Sequence, residues 1–225
     1  MGTNETLQVG GADIRAYVAG PTDAGTPGVL LLHAWWGLND DVAVYADRLA
    51  DAGFAVVAPD MFGGQIASTV EDAERLAKGA DEAVVDAIVL AAIDRLIERL
   101  GPSVRLAVVG FSFGAHWTMW SPSKRDQVVA SVLYYGTTDG SVLTDATVPV
   151  QGHFAENDPF ETTEWVDEFV AKLVAAGRAV ELHRYPDTGH WFAEPSRDAY
   201  RAEAADLAFQ RTTDFLRRHL GAPGS

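Results

Sequence analysis

Ser112 has a glycine two residues to either side, in Gly110-Phe-Ser-Phe-Gly114, and the chain holds histidines and carboxylates that could activate its hydroxyl. A serine hydroxyl is a poor nucleophile until a base takes its proton and an acid orients that base. The glycine spacing matters because a serine on a tight strand-to-helix turn needs neighbours small enough for the chain to pass close to itself. An apolar run from Val104 to Val109 leads into the motif, and a helix-compatible run, Ala115-His-Trp-Thr-Met-Trp120, leaves it. Strand, Gly-x-Ser-x-Gly, helix is the context that exposes a serine above a sheet edge. A helix N-terminus beneath it favours developing negative charge.

Six histidines compete for the role of base. His33 ends an apolar run, and His116 lies one helical turn past the serine. His153 and His183 fall inside strand patterns, and His219 sits near the end of the last helical pattern. His190 lies in Tyr185-Pro-Asp-Thr-Gly-His190-Trp-Phe, a loop after the last strand pattern. Its late position gives the order Ser, acid, His expected of an α/β-hydrolase, so His190 is the expected base. The acid should follow the strand pattern at 148–154, where Glu156 and Asp158 are both available. Asp158 is favoured because it lies farther from the strand end and Pro159 can fix the turn. Asp187 reads as a turn former.

A tetrahedral oxyanion needs two backbone N–H donors. Phe113, the residue after the nucleophile, supplies one. The second is expected from Trp35, in the loop His33-Ala-Trp-Trp-Gly37 that follows an early strand pattern. Trp36, Trp191 and Phe192, with Trp117 and Trp120, are candidates for an apolar pocket, some of them belonging to the core instead.

These groups must be placed by the elements around them. Residues 5–19 alternate apolar and polar about Gly10-Gly11 and read as a hairpin. Continuous apolar runs at 28–33 and 54–58 read as strands buried on both faces. Further strand patterns cover 104–109, 128–135, 148–154 and 180–185, and helical spacing covers 39–52, 70–78, 81–100, 161–176 and 196–220. Alternating strands and helices predict an α/β architecture with a mostly parallel sheet covered on both faces. No repeat or linker divides the chain, so residues 1–225 are expected to form one domain.

The chain has 225 residues and a formal net charge of -15. That balance argues against a nucleic-acid or anionic-membrane surface, which needs clustered Lys and Arg. With no cysteine, disulfides, thiolate catalysis and cysteine metal sites are excluded. Met1–Leu7 carries no basic-then-apolar leader, and the apolar stretch from Ala83 to Ile97 is interrupted by charges and too short to span a bilayer. A cytoplasmic protein without metal, and a monomer, is the expectation.

Five segments together resemble the dienelactone hydrolase family of α/β-hydrolases. They are Val29-Leu-Leu-Leu-His-Ala-Trp-Trp-Gly-Leu-Asn39, Leu49–Gly64, Gly110-Phe-Ser-Phe-Gly114, Asn157-Asp-Pro-Phe160 and Gly189-His-Trp-Phe192. The resemblance implies an α/β-hydrolase fold with about seven or eight strands, no cofactor, and hydrolysis through an acyl-enzyme. It implies Ser112 as nucleophile, Asp158 as acid, His190 as base, and Trp35 and Phe113 as donors. Three positions depart from the founding enzymes. Their nucleophile is a cysteine and here is Ser112; a glutamate before the first donor is here Ala34; a carboxylate-binding arginine four residues past the histidine is here Glu194. A neutral ester or lactone is therefore the expected substrate, with Glu194 beside its tail. An acyltransferase or perhydrolase using the same groups, and a non-catalytic scaffold used for binding, are the other readings.

Overall fold

Gly10 and Gly11 sit at φ +59° and +87°, a region closed to most side chains, and turn the chain between β1 (Thr3–Val9) and β2 (Ala12–Ala19). The structure is a computed structural model that describes residues 1–221. β2 pairs antiparallel with β4 (Ala55–Pro59). From β4 onward every neighbouring pair is parallel, through β3 (Gly28–Leu32), β5 (Leu106–Phe111), β6 (Val128–Tyr134), β7 (Val150–Ala155) and β8 (Val180–Tyr185). The result is one eight-stranded sheet in the order β1-β2-β4-β3-β5-β6-β7-β8. Every residue of β3, β4 and β5 is buried, as continuous apolar runs require when helices cover both faces of a parallel sheet.

The helices are α1 (Asp40–Asp51), α2 (Val70–Gly79), α3 (Glu82–Leu100), α4 (Ala115–Trp120), α5 (Thr163–Ala175) and α6 (Ala202–Leu220). Asn39, Thr69, Asp81 and Thr162 cap α1, α2, α3 and α5 with side-chain oxygens that accept from first-turn N–H groups. α1 and α6 share one face, joined by the Arg48–Asp206 ion pair. α3 and α4 share the other, where the Trp117 indole donates to Asp86 at 2.8 Å. A buried polar string crosses from the first face into the sheet. The Tyr45 hydroxyl donates to Tyr134 Oη (2.9 Å), Tyr134 bonds Thr212 Oγ1 (2.8 Å), and Thr212 meets His153 Nε2 (3.0 Å).

The last helix starts six residues later than its apolar spacing suggests. Residues 196–201 are instead folded back in turns: Arg197 N–H donates to Glu194 O, Tyr200 N–H to Arg197 O, and Arg201 N–H to Phe192 O. Asp41 accepts from both the N–H and the hydroxyl of Ser196. These bonds satisfy backbone that a longer helix would have paired internally, and they hold the segment against the loop carrying His190. β5 extends two residues beyond the expected end, through Gly110 and Phe111.

β5 and α4 approach closely where the glycines lie. A Cβ on Gly110 would collide with Thr118 Oγ1 and lie 2.7 Å from Gly114 O, and one on Gly114 would lie 2.8 Å from Leu32 Cβ. Thr118 Oγ1 donates to Gly114 O at 2.9 Å, so the contact is bonded as well as tight. Gly110→Ala is expected to destabilise the fold by about 2–3 kcal/mol through overpacking, read as a lower urea midpoint with an unchanged m-value. A midpoint equal to wild type would show that α4 yields without penalty.

Candidate active site

Ser112 stands at φ +45°, a conformation rarely adopted by residues other than glycine. It opens a single 3₁₀ turn, Ser112–Gly114, that runs into α4. The turn is crowded from beneath as well. Gly136 follows β6, and a Cβ there would lie 2.6 Å from Ser112 O and 2.7 Å from Ala115 Cβ. Gly136 was not singled out by its sequence context; the signal was a glycine directly after a strand pattern, at the carboxyl edge of a parallel sheet where sites form.

Ser112 Oγ lies 2.9 Å from His190 Nε2, and His190 Nδ1 lies 2.7 Å from Asp158 Oδ2. With the ring proton on Nδ1, the imidazole donates to the carboxylate and its Nε2 accepts from the serine hydroxyl. The Asp158 and His190 side chains are 1% and 4% exposed. The other carboxylate oxygen of Asp158 accepts from the N–H groups of Phe160 (2.9 Å) and Glu161 (3.0 Å). Pro159 sits inside that turn, with the acid just past the end of β7. Glu156 points elsewhere, accepting from Asp187 N–H at 3.0 Å, and Asp187 forms a turn at φ +56°.

Glu161 extends the acid loop sideways. Its two oxygens accept from the N–H (3.0 Å) and hydroxyl (2.8 Å) of Thr137, tying the acid loop to the segment after β6. Burial pushes its carboxyl above the ordinary range, and the two Thr137 bonds oppose that.

The loop after β3 carries the Trp35 N–H, which makes no turn or cap hydrogen bond among the described residues. Phe113 N–H belongs to the first turn of a helix, where the ladder offers no acceptor. His33 fixes the Trp35 loop. Its Nδ1 donates to Ala34 O at 2.7 Å and its Nε2 accepts from Met61 N–H at 3.0 Å, joining the loops after β3 and β4. Asp60 closes the second loop on itself by accepting from Phe62 and Gly64 N–H groups. The Phe62 ring packs on His33 (5.0 Å) and on Phe113 (4.9 Å), bringing the loops after β3, β4 and β5 together.

Aromatic rings surround His190. Phe160 is 5.0 Å from its ring and Trp191 is 5.4 Å, while Trp35 packs on Phe160 at 5.5 Å and on Trp191 at 5.9 Å. Phe160, 36% exposed, is the open member of the group. Its only signal in the sequence was its place two residues past the acid. Trp36 is buried against Trp191, with the Arg197 guanidinium 4.2 Å from its ring centroid. Trp117 packs on Phe113 at 5.0 Å. Phe192 and Glu194 are not placed as the sequence reading expected. Tight turns close from Gly189 O to Phe192 N–H and from Trp191 O to Glu194 N–H, and they swing both side chains inward. Phe192 is fully buried against Tyr135 and Tyr185, and Glu194 is 5% exposed and accepts from the Tyr135 hydroxyl at 2.9 Å. The groups in hydrogen-bond or ring contact with Ser112, His190 and Asp158 include no Lys or Arg. Among the described residues no three or more His, Asp or Glu side chains are grouped to hold a metal ion, and no helix is long and apolar enough to cross a membrane.

The sequence model of the dienelactone hydrolase family matches residues 14–220. The chain belongs to this family. It is a hydrolase of the class that acts on esters or lactones, with a small molecule as substrate. Protein usf of Aquifex pyrophilus is 31% identical to this dienelactone hydrolase family member over 98% of the chain and 100% of the relative. A candidate 2-oxo-3-(5-oxofuran-2-ylidene)propanoate lactonase of Bradyrhizobium is 29% identical over 98% of the chain and 93% of the relative. In fold, the family member is similar to a candidate dienelactone hydrolase from Klebsiella pneumoniae, with a TM-score of 0.87 at 22% identity, covering 97% of this chain and 99% of that one.

Burial pulls the His33 imidazole down to about 4 from its ordinary 6.5, outweighing the Ala34 carbonyl and Asp60. The unfolded chain thus takes up this proton near 6.5 and the folded chain only near 4. His33 therefore contributes stability in full above pH 6.5 and loses it as the pH falls toward 4. Its loss should amount to something on the order of 3 kcal/mol. The stability difference between wild type and His33→Gln, from urea melts, is expected to shrink across that window. A difference independent of pH would mean that His33 charges freely in the fold.

Proposed function

We propose that this family member is a serine hydrolase that cleaves neutral carboxylic esters or lactones through an acyl-enzyme. The observation that carries the reading is the unbroken series Ser112–His190–Asp158, at 2.9 and 2.7 Å, on a serine held at φ +45°. A strained serine facing a buried imidazole has little structural use, and strain of this kind concentrates where chemistry needs a preset geometry.

In this reading His190 Nε2 accepts the Ser112 proton as Oγ attacks the carbonyl carbon. The oxyanion that forms is met by the N–H groups of Trp35 and Phe113. Collapse expels the alkoxide, which takes the proton back from His190, and leaves the acyl group on Oγ. A water then gives its proton to His190 and attacks the acyl carbon, and Ser112 leaves with that proton. Asp158 keeps the ring in the tautomer that accepts at Nε2 and stabilises the imidazolium between steps. No cofactor enters any step. The same reading takes residues 1–225 as one catalytic domain.

The choice of a neutral substrate follows from the surroundings. Phe160 and Trp191 pack on His190 and Trp35 packs on both, and among the described residues no Lys or Arg stacks on these three rings or bonds Ser112, His190 or Asp158 to meet a carboxylate. For matched nitrophenyl esters, kcat/KM is expected to favour the neutral over the carboxylate-bearing substrate by about tenfold or more, the scale of one charge interaction at a partly wet site. Equal rates on both would remove the neutral-substrate assignment.

Ser112→Ala is expected to lower ester turnover by about a million-fold, and Asp158→Asn by about ten-thousand-fold. Both variants should fold, and a fluorophosphonate should label wild type at Ser112 alone. An unlabelled wild type, or a Ser112→Ala protein with more than about a tenth of the activity, would overturn the mechanism.

A further inference from the structure

Glu194 has no part in the steps above, yet it occupies the place behind the site where three of its loops meet. It lines a narrow cavity with Ala34, the residue before the Trp35 donor, and with Asp41, Tyr45 and Phe111. It sits four residues past His190, in the same set of tight turns. Tyr135 closes the third side. The Tyr135 hydroxyl donates to Glu194 Oε1 at 2.9 Å, and its ring centroid is 5.1 Å from that of His190. The next residue, Gly136, rests against the backbone of Ser112, with 3.0 Å between a Cβ at that position and Ser112 Cα.

Tyr135 itself is held at φ +37°, which is strained for a bulky aromatic residue. Such a conformation persists only where the surroundings over-determine it. Two hydrogen bonds do so here: Tyr135 N–H to His153 O at 2.7 Å, and the hydroxyl to Glu194. Burying a carboxyl is expensive, and an apolar side chain would fill this space without that penalty. The carboxyl is therefore not explained by packing.

We propose that Glu194 is a positioning residue that, through Tyr135, keeps the His190 ring and the Gly136 backbone beneath Ser112 in register for proton transfer. The proposal rests on the hydrolase reading of the site. At neutral pH the carboxyl that accepts from Tyr135 is uncharged. Burial raises the Glu194 pKa to about 8 from 4.5; the Tyr135 hydrogen bond opposes this, Asp41 reinforces it and Arg197 opposes it. The groups facing it are Tyr135 after β6, Asp41 and Tyr45 on α1, and Arg197 in the following turn; Tyr45 is itself held up at about 12 and stays neutral. Above about pH 8 the buried carboxyl becomes charged beside Asp41, which its surroundings disfavour, and the arrangement that positions Tyr135 is destabilised. The unfolded chain gives up this proton near 4.5 and the folded chain near 8, so the fold loses stability as pH rises between those values and loses no more above them.

The test is the pH dependence of kcat and KM on a neutral ester from about pH 5 to about pH 10. Wild-type kcat is expected to fall by about fivefold or more above pH 8 while KM changes little. Glu194→Gln keeps the acceptor and cannot ionise. It should retain kcat within about threefold of the wild-type plateau and lack the alkaline fall. Glu194→Ala should lose about tenfold in kcat at every pH. A role in stability alone would move melting temperatures and leave the alkaline limb in place. If Glu194→Gln fails to fold, Tyr135→Phe keeps the ring and removes the hydroxyl, and it too should lack the limb. An alkaline fall of unchanged size and position in whichever variant folds overturns the proposal. A wild type that hydrolyses no ester and takes no fluorophosphonate defeats the hydrolase reading first. An active wild type whose limb survives Glu194→Gln defeats the positioning role alone. Melting temperature over the same range reads Glu194 without substrate: it should decline from about pH 5 to about pH 8 in wild type and decline less in Glu194→Gln.

Discussion

A carboxylate that is 1% exposed must have its oxygens satisfied by the protein, and the arrangement around Asp158 follows from that requirement. It takes three donors: two backbone N–H groups of its own turn and the His190 ring. The turn that presents the N–H groups is held by Glu161 against Thr137, and the ring is held by the turns that begin at Gly189. Satisfying Asp158 thus specifies where the imidazole lies and which of its nitrogens is free. Breaking any donor would leave a buried charge short of a partner, which is costlier than losing an exposed hydrogen bond.

The remaining segments meet this fixed point from the sheet side. Two non-glycine residues in the left-handed region, Ser112 and Tyr135, sit at the ends of adjacent parallel strands, β5 and β6. Their strain is opposed by the close packing of Gly110, Gly114 and Gly136, none of which has room for a Cβ. The fully buried strands beneath them supply the stiffness: β3 and β5 are paired from Gly28–Leu106 to Leu32–Gly110, which sets the Trp35 loop beside the serine turn. His33 then ties that loop to the one after β4: its Nδ1 donates within the first loop, to Ala34 O, and its Nε2 accepts from Met61 N–H, a pair of roles that only a neutral imidazole fills.

Much of this was legible in the residues. Parallel strands buried on both faces announce themselves as apolar runs, and the spacing at 39–52, 70–78, 81–100 and 161–176 falls on helices α1, α2, α3 and α5. Ser112, Asp158 and His190 could be picked out because each lies in a loop at the end of a strand pattern, and the structure brings the three together. What escaped notice depended on tertiary position. Spacing could not show that residues 196–201 bond back to Phe192 and Asp41 instead of joining the helix. Nor could it show that Phe192 and Glu194 turn inward, because a charged residue in a loop normally faces water. Phe160 and Gly136 matter through contacts with His190 and Ser112 that are distant in sequence.

The sequence contains no cysteine. A thiol put in place of the Ser112 hydroxyl would therefore be the sole thiol of the molecule, and it would stand against an imidazole 2.9 Å away at the start of a helix. Such a neighbour and such a location stabilise the thiolate over the thiol. The pH-dependent change in ultraviolet absorbance of that single thiolate, or its rate of alkylation, would report the electrostatic potential felt at the reacting atom with no second thiol contributing. The fold thus offers a built-in electrode position, and the field the protein maintains at its nucleophile becomes a quantity that can be titrated directly.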